Sequence, residues 1–289
     1  MPTITQRITV PRFAARKIAQ GTPPLVVVTA YDAPQGRLAD VAGVDAILVG
    51  DSLSMTTLGY DSTLPVTLDD MVRHTRAVAR GMEAYAERKP TPSDEARGAR
   101  HALLIADMPF GTYGASVEEG VRAGMRLVAE GGAQCVKLEG AGAVVVETIR
   151  RLVAIGVPVM GHLGMTPQSQ HRFGGFRVQG KTEEGETLLL QEGQILVEAG
   201  IFGMVVELVP AEVAQRLTTA LPVPTIGIGA GPHCDGQVQV LHDLIGFTPG
   251  AVLRHTKRYA EAGQQITEAL RRYTEDVRTG RFPNEENSF

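Results

Sequence analysis

The chain has 289 residues, 43% of them hydrophobic, with 28 Lys and Arg against 32 Asp and Glu for a formal charge of −4. That balance, with 5% aromatics and no Trp, excludes a basic nucleic-acid surface and a base-stacking platform. No segment reaches the ~20 uninterrupted apolar residues of a membrane span, and Cys135 and Cys234 form no CxxC or Cys/His zinc pattern, which fits a reducing, cytoplasmic setting.

No acid precedes Asp32, while Arg7, Arg12, Arg16 and Lys17 are basic. Such a start can be read as a transit peptide. The preferred reading is a short amphipathic helix, Pro11 to Gln20, closed by Gly21, because the first strand follows at once. Apolar runs then recur as candidate strands: Leu25–Ala30, Ala46–Gly50, Ala102–Ala106, Gln134–Leu138, Pro158–His162, Gly203–Glu207 and Pro224–Ile228. They are continuous rather than alternating, as in strands buried on both faces. Helical patterns fill the gaps at Gln35–Ala42, Thr67–Ala86, Val117–Glu130, Ala143–Ile155, Glu184–Ala199 and Pro210–Ala220. Gly43, Gly131, Gly156 and Gly200 stand as helix stops. The stretch Arg88–Glu95, with two prolines and dense charge, reads as a solvated loop.

Seven strands in this rhythm require a parallel sheet. The eighth is weaker, either Val238–Leu241 or the segment around Leu244–Phe247. The expected fold is α/β: a (β/α)8 barrel, one domain over residues 1–289, with an N-terminal helix and a C-terminal helical stretch, Ala251–Thr279. Residues Phe282–Phe289 read as a polar tail.

Four acids, Asp51, Asp107, Glu139 and Glu207, sit at or just past the ends of apolar runs. A carboxylate leaving a buried strand is costly unless something uses it, and parallel strands gather their C-terminal ends around one site. Several carboxylates there suit a hard divalent cation. Each also has a plainer explanation. Asp51 and Asp107 can cap a helix or form a turn. Lys137 and Glu139, two apart on one strand, share a face and can be a structural ion pair. Glu207, flanked by Val206 and Leu208, has surroundings that disfavour its charge and suit a general base, or it is a surface glutamate. His162 is equally a substrate contact or a core histidine. Gly227-Ile228-Gly229-Ala230-Gly231 fails the G-x-G-x-x-G pattern, since Pro232 and then Cys234 stand where the third glycine belongs. A late barrel loop of this kind can hold a phosphate, but close backbone approach in a tight turn is the preferred reading there.

Together these stretches resemble the ketopantoate hydroxymethyltransferase (3-methyl-2-oxobutanoate hydroxymethyltransferase) family. The matching segments are Thr29–Asp32, Val49–Leu53, Gly59–Thr67, Ala106–Gly111, Val136–Gly140, Gly161–Ser169 and Ile226–Gly231. They run in the family's order over nearly the whole chain. The resemblance implies a barrel of the phosphoenolpyruvate/pyruvate type, Mg2+, 5,10-methylenetetrahydrofolate as one-carbon donor and 3-methyl-2-oxobutanoate as acceptor. It implies metal positions at Asp51, Asp107 and Glu139, keto-acid contacts at Asp51, Ser52, Asp107 and Lys137, and Glu207 as proton acceptor. It also implies a homo-oligomer, often a decamer. Ser54 stands where the family usually has Gly, His233 where it has Asp or Asn, and 85–100 is longer than the usual connection. Two rivals are a Mg2+-dependent carbon–carbon lyase of the same barrel superfamily and a non-catalytic metabolite-binding barrel. The cysteine-bearing loop typical of isocitrate-lyase relatives is missing from this sequence, which argues against the first, and a binder would not need Glu207.

Overall fold

The computed structural model describes residues 5–17, 23–83, 92–97, 99–248 and 253–289. The chain forms two compact units, Met1–Gln239 and Val240–Phe289, where the sequence suggested one domain.

The first unit is a closed eight-stranded parallel barrel. Its strands are β2 (Leu25–Thr29), β3 (Ala46–Val49), β5 (Leu103–Asp107), β6 (Cys135–Lys137), β7 (Val159–Gly164), β8 (Gly203–Glu207), β9 (Thr225–Ile228) and β10 (Gly236–Gln239). They follow in that order, and β10 closes the ring on β2 by pairing Gly236 with Leu25. A separate two-stranded parallel sheet joins β1 (Thr5–Arg7) to β4 (Ala99–His101). The helices are α1 (Val10–Ala14), α2 (Ala33–Ala42), α3 (Leu53–Thr56), α4 (Leu68–Glu83), α5 (Pro92–Arg97), α6 (Val117–Ala129), α7 (Ala143–Ala154), α8 (Gln170–Phe173), α9 (Glu183–Ala199) and α10 (Ala211–Ala220). Asp32, Ser116 and Thr182 accept backbone N–H bonds at the starts of α2, α6 and α9. Asp32, part of a family-like motif, is therefore explained as a cap. Leu25, Leu103, Cys135, Met160, Val205 and Ile226 belong to one buried core, which Phe13 of α1 joins with its ring edge-on to Phe202.

The expected eighth strand is displaced. Gly236–Gln239 takes that place, while Leu241–Leu244 forms α11 of the second unit. A Cβ on Gly236 would lie 2.5 Å from the Leu25 carbonyl oxygen, so the ring closes where a glycine permits contact, not where the segment is most apolar. Helix α1 covers Val10–Ala14 rather than Pro11–Gln20, and residues 18–20 of that expectation lie outside the described residues. Of the expected loop Arg88–Glu95, residues 88–91 also lie outside them, whereas Pro92–Arg97 is helical. A first-turn proline followed by Asp94 and Glu95 suits a helix N-terminus.

In the second unit, α12 spans Ala262–Arg278 instead of starting at Ala251. Residues 251–252 are not described. The N–H groups of Tyr259, Ala262 and Gly263 bond the carbonyls of Leu244, Ile245 and Gly246, which holds the chain out of a helix until 262. No helix among the described residues is long and apolar enough to cross a membrane.

Candidate active site at the C-terminal mouth of the barrel

Strand register builds the site. Asp107 of β5 is directly paired with Lys137 of β6, and Gly164 of β7 with Glu207 of β8. Asp51 lies two residues past the end of β3, and Glu139 two past Lys137 on the same side. Asp51, Asp107, Lys137, Glu139 and His162 are all at most 6% exposed.

The contacts are dense. Asp107 Oδ2 accepts the Asp51 N–H at 3.0 Å. Lys137 Nζ lies 3.1 Å from Asp107 Oδ1, 3.7 Å from Glu139 Oε1 and 3.1 Å from His162 Nδ1. His162 Nδ1 is 3.4 Å from Glu139 Oε1, and its Nε2 is 3.3 Å from Glu207 Oε2. Asp107 Oδ1, Glu139 Oε1 and His162 Nε2 meet these neighbours at ion-pair range but without hydrogen-bond geometry. Ser52 takes part through its hydroxyl, 2.8 Å from that of the fully buried Tyr31.

Burial and mutual repulsion set the charges. Burial, then Glu139 and Asp107, push Asp51 well above the usual carboxylate range. Burial raises Asp107 too, although Lys137 opposes it. Burial acts to raise Glu139, but His162 close beside it, with Lys137, holds it below its ordinary value. For Lys137, burial acts downward and the three carboxylates prevail, so it stays cationic. His162 is lifted from 6.5 to about 9: burial and Lys137 act downward, and the Glu139 and Glu207 carboxylates outweigh them. Burial takes the Tyr31 phenol up to about 12.

Each plainer reading now has an answer. The Asp51 carboxylate accepts from Gln168 Nε2 at 2.8 Å, while Ser52 holds the N-cap position of α3. Lys137 and Glu139 are an ion pair as anticipated, within a larger cluster. His162 bridges two carboxylates. Glu207 lies 15% exposed against an imidazole rather than in a purely apolar niche. The neighbouring strand supplies that imidazole, which adjacency in sequence does not reveal. The glycine-rich turn is a close approach of backbone: a Cβ on Gly231 would come within 2.5 Å of Ala211 Cβ.

Sequence reasoning passed over Gln168, Tyr113 and Leu208. The Gln168 amide touches Asp51, Met108 and Tyr113. Its signal was its place just past the mouth of β7, in Thr166-Pro167-Gln168. Leu208, next to Glu207, has φ +46, which among the described non-glycine residues it alone shows as positive. Opposite it, a Cβ on Gly164 would sit 2.1 Å from the Glu207 carbonyl oxygen. The chain is thus turned sharply as it leaves β8, with Glu207 at the bend.

Among the described residues, no three Asp, Glu, His or Cys side chains form a ready metal-holding group. The Lys137 ammonium stands as counter-ion between Asp107 and Glu139, which keeps Asp51, Asp107 and Glu139 from forming a closed cage. Even so, the donors fit a hard cation. They are carboxylate oxygens, two of them buried without hydrogen bonds, and Mg2+ is commonly held by only one or two carboxylates plus water and substrate oxygens.

A closed parallel barrel with acids and a lysine converging at its C-terminal mouth defines a (β/α)8 enzyme scaffold. Solved structures agree on the fold. A phosphoenolpyruvate phosphomutase from Streptomyces platensis subsp. rosaceus superposes with a TM-score of 0.57 at 13% identity, over 94% of this chain and 88% of that one. A phosphonopyruvate hydrolase, solved in complex with oxalate and Mg++, gives 0.59 at 13% identity, over 97% and 93%. The model of the family described as ketopantoate hydroxymethyltransferase matches residues 7–87 and 93–285. A relative from Moorella thermoacetica named 3-methyl-2-oxobutanoate hydroxymethyltransferase is 49% identical over 283 residues, 98% of each chain. The chain belongs to the ketopantoate hydroxymethyltransferase family. The internal gap in that match, residues 88–92, falls inside the 85–100 stretch.

Proposed function

We propose that this chain transfers a hydroxymethyl group from 5,10-methylenetetrahydrofolate to 3-methyl-2-oxobutanoate, giving ketopantoate for pantothenate synthesis. The observation that carries the reading is the convergence of Asp51, Asp107, Lys137, Glu139 and Glu207 on one mouth, in a chain that matches the family almost end to end.

Each residue has a task. Asp51, Asp107 and Glu139 would hold Mg2+, with Glu139 kept ionised by His162 and Lys137. Asp51, pushed toward its neutral form, would give up its proton as the ion arrives. When bound, Mg2+ would withdraw electron density from the keto acid and stabilise the negative charge that grows as C3 loses a proton. Lys137, cationic and desolvated, adds a fixed positive charge beside that developing oxyanion. The Ser52 hydroxyl and Lys137 would orient the acid's oxygens, with Tyr31 holding the hydroxyl in place. Glu207 would take the C3 proton, with His162 Nε2 3.3 Å from its Oε2 to hold it in place. Water would add to the methylene carbon, opened from the folate as an iminium, and the remaining C–N bond would break to free tetrahydrofolate. The carbon nucleophile would add to the formaldehyde carbon so released, whose oxygen takes up a proton as the new hydroxyl. We also place the enzyme in the cytoplasm as a homo-oligomer, with a decamer as the expected size, to be checked by light scattering.

The test is incubation with 3-methyl-2-oxobutanoate in heavy water, with and without Mg2+. Deuterium uptake at C3 only with the metal, and ketopantoate only with the folate, are the expected results. Ketopantoate without folate, or no exchange at all, would refute the proposal.

A further inference from the structure

The mouth holds a side chain that none of the proposed chemical steps uses. Gln168 is 8% exposed, and its functional groups are fully engaged. Its Nε2 donates to Asp51 Oδ2 at 2.8 Å and to the Met108 carbonyl at 3.0 Å. Its Oε1 accepts the Tyr113 hydroxyl at 2.6 Å. The Tyr113 oxygen in turn accepts the Glu139 backbone N–H at 3.2 Å, and the backbone N–H of Gln168, not its side chain, donates to Glu139 Oε2 at 3.0 Å. The amide cannot be turned over: its oxygen would then face two acceptors, Asp51 Oδ2 and Met108 O, and its NH2 would face a hydroxyl whose proton it cannot accept.

The consequence concerns individual oxygen atoms. One oxygen of Asp51 and one of Glu139 are tied by Gln168, and one of Asp107 by the Asp51 N–H. The other oxygens of Asp107 and Glu139 are the two that lie buried without a hydrogen bond. We propose that Gln168, steadied by Tyr113, is a positioning residue that selects which oxygen of Asp51 and of Glu139 is presented to a divalent cation. This rests on the functional reading above. Gln168 acts as a single clamp on two ligands from different strands, so metal affinity depends on a residue that never touches the ion.

The test is titration of the full-length protein with Mn2+, followed by electron paramagnetic resonance and calorimetry without substrate. Gln168→Met keeps the length and removes every side-chain hydrogen bond, so it frees Asp51 and unseats Tyr113, while the backbone N–H bond to Glu139 stays. Tyr113→Phe removes one hydroxyl and keeps the ring. The Mn2+ dissociation constant should rise at least ~10-fold in Gln168→Met, in the range found for outer-shell partners, and less in Tyr113→Phe. The Mg2+ concentration for half-maximal turnover should rise by the same factor, while kcat at saturating Mg2+ falls far less. If wild type binds Mn2+ and Asp107→Asn weakens it, but a folded Gln168→Met binds as wild type does, the Gln168 assignment fails alone. Should that variant not fold, unaltered Mn2+ affinity in Tyr113→Phe overturns it equally. A wild type that does not bind Mn2+ overturns the functional reading and this one together.

Discussion

At the N-terminal end of the barrel, Asp235 accepts the N–H and hydroxyl of Thr225 and pairs with Lys17. Asp45 accepts the Val26 N–H and faces Arg16, and Asp40 accepts the Ala102 N–H and the His101 ring. At the opposite end, Asp51, Asp107 and Glu139 are as deeply buried, yet they face each other across Lys137 and leave oxygens without hydrogen bonds. Residue type and burial do not separate the two sets. Partners do. Acids answered one at a time, each by backbone N–H groups and its own basic side chain, stitch loops to strands, whereas acids that must share Lys137 with other acids hold unspent affinity for positive charge.

The sharpest way to break this contrast is at the mouth. Glu207→Gln should bind keto acid normally while proton exchange at C3 falls about 10³-fold, within the range of general-base catalysis. Exchange at the wild-type rate would remove Glu207 from the mechanism. Asp235→Ala, at the other end, should lose about 3–5 kcal/mol of stability, because Lys17 and the Thr225 N–H lose their buried acceptor. Turnover per folded molecule should hold. A urea midpoint matching wild type, or a collapse of kcat in the folded fraction, would erase the distinction between the ends.

A third test uses pH. The pKa of His162 is raised on folding, from 6.5 to about 9. Its contribution is therefore whole below about pH 6.5 and is lost as pH climbs through about 9, worth about 3 kcal/mol by linkage. Urea midpoints of the metal-free protein should drop across that window, and less so in His162→Gln. Equal slopes would show that the imidazolium is not held by Glu139 and Glu207. The smallest effect is expected for Leu208→Gly. Relief of a left-handed backbone strain of about 1–2 kcal/mol offsets lost packing, so stability should barely change. The rate should fall a few-fold as Glu207 loses its fixed aim, and unaltered kcat would make the strain incidental.

Much of the mouth was legible because a parallel barrel puts every strand exit at one end, so a list of acids after apolar runs is already a list of neighbours. What escaped detection depends on contacts across strands. Gln168 matters only because β3, β5 and β6 deliver Asp51, Met108 and Glu139 to it. The apolar residues flanking Glu207 in sequence said nothing of His162 on the adjacent strand. The eighth strand was obscure since Val238 is its one buried apolar side chain. Its place is fixed by hydrogen bonds on both sides, which no local pattern encodes.

That last strand has a temporal meaning. Residues 25 and 236 become neighbours only when the ring shuts, so a ribosome must release nearly the whole first unit before the cylinder can exist. Pairings this distant along the chain are slow to form. A nascent fragment carrying β3, β5 and β6 already owns most of the acids, but it lacks the wall that holds them together, so competence for chemistry should arrive late and all at once.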